Sequence, residues 1–429
     1  MKNLDEISCC TQIVCFSVKK EAGSMDDFTK RFLKAKFQSH YKKSDLKMPP
    51  SFTAREWGFI SFDPMPEVIM KRHKSFGSFS EFSEYLTGMA PAHVYYSVAY
   101  YDSPGAPRMD QKGWKGADLI FDLDADHLPG AKRTYSDMLD HVKAESIKLA
   151  DFLVNDFDFS EDSIELVFSG GRGYHFHVYD DKIAALDSAE RREIVNYISG
   201  RDLDFKFFLK EVSMDGDAGA GTSEFKGMRK IPTKWILEGY ESGWGKRIAG
   251  YVADYLRSEV QKEKKEMFKD LKENKIAGET TLEKLAKFAS DDALLAEITE
   301  KGRLDFPVKD FKKIIEYIVQ KTVAELGVDA GASVDEPVTG DIKRLIRFPG
   351  SLHGGSGFEV QTITLEQLPN YNPLTDALAF GGQMTKVRIT RPFSFLLNGQ
   401  DFAVTEGNTE LPEYAAVYLM CRGVANYGY

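Results

Sequence analysis

Acidic residues interrupt an otherwise apolar run in the segment GADLIFDLDADHLPG. In a strand, side chains two positions apart share a face, so Asp122 and Asp124 project together while Phe121 and Leu123 face the core. Like charges do not sit together in a half-buried strand without a neutralising cation. Carboxylates about 6–7 Å apart at Cβ could hold two divalent ions, as in two-metal phosphoryl-transfer sites. Oxygen ligands favour Mg²⁺ or Mn²⁺, although the pattern alone equally fits a solvated strand end or a calcium-like structural site.

A glycine-rich turn between two strand-like runs forms the second element, in FSGGRGYHFHV. Glycines let the backbone approach a ligand closely, as loops that cradle phosphate do. Arginine suits phosphate because its planar fork donates two hydrogen bonds. The candidate phosphate-binding side chains are Ser169, Arg172 and His175. The simpler alternative is a hairpin turn with an exposed arginine.

Three basic residues precede a Ser-x-His turn in DEPVTGDIKRLIRFPGSLHGGSGF. This grouping is typical of a triphosphate clamp, with Arg347 and His353 as candidate contacts and Asp335 as a candidate third metal ligand. Standing alone, the segment is better explained as a charged strand followed by a glycine-rich loop. The three segments together indicate a metal pair flanked by two phosphate-binding loops, which is more specific than any one of them.

Strands and helices must position these residues. REWGFISF and HVYYSVAYY alternate like strands before the acidic segment, and TYSDMLDHVKAESIKLADFLVNDF follows it with helical spacing. Residues 253–328 are charged, helical in period and nearly free of strand signals. We therefore predict a mixed α/β (α+β) catalytic domain, discontinuous over residues 1–252 and 329–429, with residues 253–328 as a small helical insertion. Asp335 must return across that insertion to reach Asp122.

The 429-residue chain carries a formal net charge of −10. This acidic total argues against a protein that coats nucleic acid by bulk electrostatics, but it leaves room for a local basic groove. The sequence contains no unbroken apolar run of about 18 residues, so we expect no membrane span, and the N-terminus does not read as a signal peptide. Cys9, Cys10, Cys15 and Cys421 form no C-x-x-C pair, which favours a reducing cytoplasm.

At these three segments the sequence resembles the catalytic small subunit of archaeal and eukaryotic DNA primase. FDLDAD is similar to that family's first motif, SGGRGYH to its S-G-x-x-G-x-H second motif, and VDEPVT…DIKRLIRFPGSLHG to its third. Flanking segments such as REWGF, MKRHKSF, YYSVAYY and KGWKGADL fit as well, so the likeness spans roughly residues 25–360. The resemblance implies a primase-type catalytic domain.

The resemblance assigns roles position by position. The catalytic residues and ligands of Mg²⁺ or Mn²⁺ would be Asp122, Asp124 and Asp335. The triphosphate of the incoming nucleotide would be contacted by Ser169, Arg172, His175, Arg347 and His353. Arg55 and Arg72 match basic positions near the site, whereas Asp126 and Asp341 match the archaeal pattern without being expected to bind metal. Many archaeal relatives carry a zinc knuckle soon after the first motif, but no cysteine of this chain lies there, so structural zinc is not expected.

The implied function is that of a DNA primase catalytic subunit. It would synthesise short primers on a single-stranded DNA template from nucleoside triphosphates, by two-metal nucleotidyl transfer with release of pyrophosphate. Its implied partner is the primase large subunit, in a heterodimer. Three alternatives stay open: a haloacid-dehalogenase-type phosphatase with Asp122 as nucleophile, a non-catalytic nucleotide-binding subunit, and a repair primase-polymerase of the same superfamily.

Overall fold

The computed structural model describes residues 25–125, 134–201, 203–213, 233–304, 308–329 and 336–429. The chain divides into two compact units. The first runs to Ala150 and also contains Phe159–Val195 and Asp329–Tyr429. The second contains Asp151–Asp158 and Asn196–Val328. All the sequence-predicted site residues that the structure describes lie in the first unit.

Two antiparallel four-stranded sheets form the centre of the first unit. In spatial order, one contains β11 (Leu345–Arg347), β3 (His93–Ser97), β1 (Trp57–Ile60) and β2 (Met70–Lys74). The other contains β12 (Gln361–Ile363), β7 (Ile164–Phe168), β8 (Gly173–Val178) and β6 (Leu119–Asp124). A hydrogen bond of 3.0 Å between Tyr96 Oη of β3 and His177 Nδ1 of β8 links the two sheets.

Smaller elements surround these sheets. The remaining strands pair as β4 (Ala99–Tyr101) with β5 (Trp114–Ala117), β13 (Met384–Ile389) with β16 (Gly407–Pro412) and β17 (Ala425–Tyr427), and β14 (Phe393–Leu397) with β15 (Gln400–Val404). The helices outside the second unit's core are α1 (Asp27–Tyr41), α2 (Phe79–Met89), α3 (Tyr135–Asn155), α4 (Ser188–Ser199), α10 (Glu336–Gly340), α11 (Pro373–Asp376) and α12 (Glu413–Cys421). Helix α1 begins where the Asp26 side chain accepts a hydrogen bond from the Thr29 N–H at 2.8 Å.

The second unit is mainly helical. It contains the antiparallel pair β9 (Leu209–Ser213) and β10 (Thr233–Leu237), followed by α5 (Gly243–Val260), α6 (Lys269–Glu273), α7 (Glu279–Ala289), α8 (Asp292–Lys301) and α9 (Phe311–Leu326). The predicted boundary at residue 253 falls inside α5, whose residues Ile248, Val252 and Leu256 share one buried cluster. The main segment of the second unit therefore starts at Asn196, because α5 and the β9–β10 pair contribute to the same core. In the described ranges, every helix is too short or too polar to cross a membrane.

Candidate active site

The paired acids lie on β6, an edge strand whose alternation separates them from the core. Phe121 and Leu123 are fully buried, whereas Asp122 and Asp124 are partly exposed. Strand β6 pairs antiparallel with β8, and the register sets Asp122 opposite His175 and Asp124 opposite Gly173. Because paired residues share a face of the sheet, the carboxylates lie beside the start of β8.

Each carboxylate has a nitrogen neighbour from the second motif. His175 Nε2 lies 3.4 Å from Asp122 Oδ1, and Arg172 Nε lies 3.7 Å from Asp124 Oδ1. The side chain of Asp122 is 20% exposed and that of Asp124 is 37% exposed. Both carboxylates therefore face solvent in part, each beside a nitrogen atom of the second motif.

Asp118, the first acid of the same segment, has a different role. Its carboxylate lies 2.8 Å from the guanidinium of Arg55, whose side chain is 0% exposed, and its carbonyl accepts from Arg191 at 2.6 Å. The resemblance placed Arg55 and Arg72 near the site. In the structure Arg55 is the buried counterion of Asp118, and Arg72 donates at 2.9 Å to the buried Glu56.

The glycine-rich loop of the second motif is closed by its own serine. Ser169 Oγ accepts hydrogen bonds from the N–H groups of Gly171 and Gly173, both at 3.3 Å. Gly170 has a φ of +72°, a conformation that favours glycine. At Gly173 a Cβ atom would lie 1.9 Å from the carbonyl oxygen of Leu123, so only glycine permits this approach of β8 to β6. Ser169 therefore shapes the loop in the structure.

The third-motif loop packs directly against the second. His353 Nδ1 accepts the Gly355 N–H at 3.2 Å, which leaves Nε2 as the protonated nitrogen of the neutral ring. A Cβ atom on Gly171 would lie 3.3 Å from that Nε2. Ser356 Oγ donates to the Gly170 carbonyl at 2.5 Å and so ties the two loops together. The structure thus joins the second and third motifs, as predicted.

Arg347 lies on β11 and is held by the neighbouring strand. Its Nη1 donates to His93 Nδ1 at 2.6 Å, and its guanidinium carbon lies 5.1 Å from the centre of the Tyr95 ring. The His93 ring meets His353 edge-on, with 4.8 Å between ring centroids. Arg347 is therefore positioned by His93 within electrostatic reach of His353.

The buried histidines of the site are neutral near pH 7. Burial, together with the charge of Arg347, holds the pKa of His353 well below its usual range. Burial and the neighbouring His177, with Arg347, do the same to the pKa of His175. Neutral imidazoles act here as hydrogen-bond donors, whereas the positive charge comes from the arginines.

Three residues near this site were not found by sequence reasoning. His93 positions Arg347, as described above. Tyr135, at the start of α3, donates a hydrogen bond from its hydroxyl to the Gly171 carbonyl. Arg422, which follows α12, stacks over the Tyr135 ring at 4.9 Å from its centre. None belongs to the three motif segments, so no local spacing signal marked them.

Some of the acidic residues named from the sequence lie outside the part of the chain that the structure describes. Asp335 and Asp126 fall outside the described residues. Asp341 is described, and its carboxylate accepts the Lys343 N–H at 2.9 Å within a turn. Within the described ranges, no three His, Cys, Asp or Glu side chains form a group that could hold a metal ion. The role of Asp335 as third metal ligand stays a prediction.

The geometry brings together two partly exposed carboxylates, a glycine loop and the arginines beside them. The described residues that meet here are Asp122, Asp124, Ser169, Arg172, His175, Arg347 and His353. Oxygen donors beside arginines and backbone N–H groups suit a substrate that carries phosphate groups. Ser356 Oγ lies 3.1 Å from His353 Nδ1, but it donates its proton to the Gly170 carbonyl and is not an activated nucleophile. The arrangement therefore favours transfer by positioning and charge stabilisation.

Comparison with known proteins gives a consistent result. A family model described as DNA primase small subunit matches residues 121–364. A DNA primase small subunit PriS of Methanosarcina mazei is 56% identical over 406 residues, which cover 94% of this chain and 98% of that protein. The PriS proteins of Methanococcoides burtonii and Halobacterium salinarum are 50% and 35% identical over 406 residues, covering 94% of this chain and 100% and 99% of those proteins.

The site and fold thus define an enzyme of nucleotidyl transfer. The chain belongs to the DNA primase small subunit family, in its archaeal type. It is accordingly a primer-synthesising catalytic subunit, and the mixed α/β fold agrees with the prediction for that family. The phosphatase and repair primase-polymerase alternatives are not favoured.

Proposed function

We propose that the incoming nucleoside triphosphate binds with its triphosphate along the glycine loop, beside Asp122 and Asp124. The observation that carries this proposal is the β6–β8 register, which sets Asp122 opposite His175 and Asp124 opposite Gly173. Carboxylates that would bind metal and groups that would bind phosphate therefore share one face of one strand pair. Phosphoryl-transfer sites need both kinds of group around the same phosphate atoms of the substrate.

The donor set fits Mg²⁺ or Mn²⁺. Asp122 and Asp124 offer partly exposed oxygens whose nitrogen neighbours lie 3.4 and 3.7 Å away, and hard divalent ions prefer such oxygens. Asp335 is proposed as the third ligand. When bound, the ions would lower the pKa of the attacking hydroxyl and offset charge on the departing pyrophosphate.

The chain's own cations would neutralise the phosphates. Arg172 reaches from the glycine loop, and Arg347 is fixed by its hydrogen bond to His93. His353 and His175, neutral because burial lowers the pKa of each, would donate hydrogen bonds without adding charge. Such donors are held in place before substrate arrives, which is electrostatic preorganisation.

The Asp122→Asn variant tests the proposal. Asparagine keeps the shape but removes a charged metal ligand, so incorporation of nucleotides on a single-stranded DNA template should fall more than about 100-fold. Assays should use ribo- and deoxynucleotides, each with Mg²⁺ and with Mn²⁺. The matched control is Asp401→Asn, an exposed acid on β15 that should leave activity unchanged. Full activity of Asp122→Asn with an unchanged melting temperature would refute the assignment.

We further propose that a primase large subunit supplies much of the template grip. The net charge of −10 supports this, because a strong hold on nucleic acid depends on an excess of basic residues facing the phosphates. Primer synthesis by the isolated chain should be weak and should rise when the large subunit is added. An isolated chain that binds single-stranded DNA as tightly as the pair does would contradict it.

We propose a reducing cytoplasm and no structural zinc, because the four cysteines of the sequence form no C-x-x-C pair. Burial raises the pKa of the Cys421 thiol to about 12, so this one cysteine is protonated at neutral pH and is a poor metal ligand. We therefore expect no zinc in the purified protein by elemental analysis, and a stoichiometric amount would contradict the expectation.

A further inference from the structure

Arg422 stands outside the family match, which ends at residue 364. It follows α12 directly, and its backbone N–H donates to the Tyr418 carbonyl at 3.0 Å as the helix ends. The helix itself is almost entirely buried, so its end is fixed by packing. Arg422 is therefore held by a rigid element.

The Arg422 side chain points to the glycine loop. Its guanidinium carbon lies 4.9 Å from the ring centres of both Tyr135 and Tyr418. The Tyr135 hydroxyl in turn donates to the Gly171 carbonyl. The charge of Arg422 also contributes to lowering the pKa of His353, after the larger effects of burial, Arg347 and His93. A cation from the C-terminal helix thus stands beside the second and third motifs.

Arg422 differs from Arg55 and Arg247 in what it contacts. Arg55 is paired with Asp118 at 2.8 Å, and Arg247 is paired with Asp156 at 2.6 Å. Across the described residues, no carboxylate lies within ion-pair distance of Arg422, and its buried Nε has no hydrogen-bond partner. A desolvated donor without an acceptor is unfavourable, so an anion that enters beside it is stabilised.

We propose that Arg422 contacts the triphosphate of the incoming nucleotide, while Tyr135 and Tyr418 hold its guanidinium in place. This inference rests on the proposed function, because it requires the triphosphate to lie at the glycine loop. The two rings restrict the guanidinium to one plane, and a planar fork can donate two parallel hydrogen bonds to phosphate oxygens. Arg422 is thus a nucleotide-binding residue supplied from outside the three motifs.

The test compares Arg422→Gln and Arg422→Lys with the wild type. Arg422→Gln should raise the KM for the nucleoside triphosphate about tenfold or more, with a smaller change in kcat, because a charge-assisted hydrogen bond to bound substrate is lost. Inorganic tripolyphosphate, used as a competitive inhibitor, should lose affinity by a similar factor. Arg422→Lys should restore part of the affinity for the nucleotide and for tripolyphosphate, because lysine keeps the positive charge but lacks the planar guanidinium that donates two hydrogen bonds.

Two controls separate this role from others. Arg388→Gln removes an exposed arginine on β13, and it should change neither the KM for the nucleoside triphosphate nor the inhibition constant of tripolyphosphate. Affinity for a labelled single-stranded oligonucleotide should be unaltered in Arg422→Gln, because the proposed contact is to the nucleotide. A loss of oligonucleotide affinity with unchanged tripolyphosphate inhibition would overturn the inference and assign Arg422 to the nucleic-acid backbone.

Further outcomes are equally decisive. A KM and an inhibition constant within twofold of wild type in Arg422→Gln would overturn the inference, even if Asp122→Asn is inactive and the proposed function stands. If tripolyphosphate fails to inhibit the wild type, the proposed triphosphate site itself fails. Tyr135→Phe keeps the ring under the guanidinium, so a rise in KM well below that of Arg422→Gln is expected, and an equal rise would contradict the assignment.

Discussion

Buried histidines are the residues whose chemistry depends most on their surroundings. His93, His175 and His177 are each at least nine-tenths buried, and the ring of His353 contacts the ring of His93. Burial is the largest cause that lowers the pKa of each of the first three. At neutral pH they are uncharged, and the site draws its positive charge from arginines. Their protonation on acidification would oppose folding.

His177 provides a measurable case, because burial lowers its pKa to about 4. The unfolded chain binds this proton near pH 6.5, whereas the folded chain binds it only near pH 4. The contribution of His177 to the unfolding free energy is therefore fully present above pH 6.5 and declines below it. When the pH is lowered from 7.5 to 5, protonation linked to His177 should reduce the unfolding free energy of the wild type by about 2 kcal/mol. Urea unfolding of the wild type and of His177→Asn at both pH values measures the difference.

His177→Asn retains an acceptor for the Tyr96 hydroxyl, which lies 3.0 Å from Nδ1. The variant should therefore lose less stability than the wild type over the same pH range, while both share the titration of the carboxylates. Equal losses in the two proteins would show that His177 titrates normally in the folded state.

Strand pairing is the element that assembles the site. Two short antiparallel strands place the metal-binding candidates and the phosphate-binding candidates on neighbouring positions. The closest point is at Gly173, which faces the backbone of Leu123 and Asp124. A side chain there has no space, because the nearest atoms belong to the backbone of β6 rather than to a flexible side chain.

Gly173→Ala should separate β6 from β8 at the site. Its Cβ would lie 1.9 Å from the Leu123 carbonyl oxygen, so the strands must move apart. We expect loss of unfolding free energy of roughly 2–4 kcal/mol and a fall in primer synthesis exceeding tenfold at a temperature where the variant is folded. Denaturant unfolding and a primer-extension assay measure both quantities.

The control for this variant is Gly88→Ala on helix α2, where an added Cβ meets nothing within 4 Å. It should be neutral or slightly stabilising, because alanine favours helix more than glycine does. If Gly173→Ala behaves like Gly88→Ala in both assays, the close approach of β8 to β6 does not constrain the site.

At the scale of the whole molecule, chemistry and helical packing lie in different units. The described site residues belong to the first unit, whereas the second has its own core, which includes Leu285, Ile298 and Ile315. A unit with its own core can lose stability without altering side chains in the other. Stability and catalysis should therefore separate under mutation.

Ile315→Ala tests this separation. The side chain is 0% exposed on α9, so its truncation should lower the unfolding free energy of the second unit by about 2–5 kcal/mol. The kcat of primer synthesis, measured well below the unfolding transition, should stay within twofold of wild type. Lys313→Ala, an exposed position on the same helix, should change neither. A lower kcat in fully folded Ile315→Ala would show that catalysis depends on the second core.

The sequence by itself determined the features that depend on local geometry. Alternation in a strand set Asp122 and Asp124 on one face, because this property depends on neighbours along the chain. The glycines of the second motif were interpreted as an approach to a ligand, and the structure shows in addition that Gly173 lies against the backbone of Leu123. Helical spacing likewise predicted α3 close to its observed bounds. The three motif segments therefore indicated the chemistry of the site before any tertiary contact was known.

Only the tertiary structure decided the features that depend on packing between distant segments. Asp118 looked like its neighbours in sequence but is paired with Arg55, a buried partner that spacing cannot identify. The start of the second unit within residues 196–252 followed from a core that α5 shares with later helices. Arg422 is linked to the glycine loop through Tyr135, and stacking between such separated residues leaves no periodic pattern in a sequence.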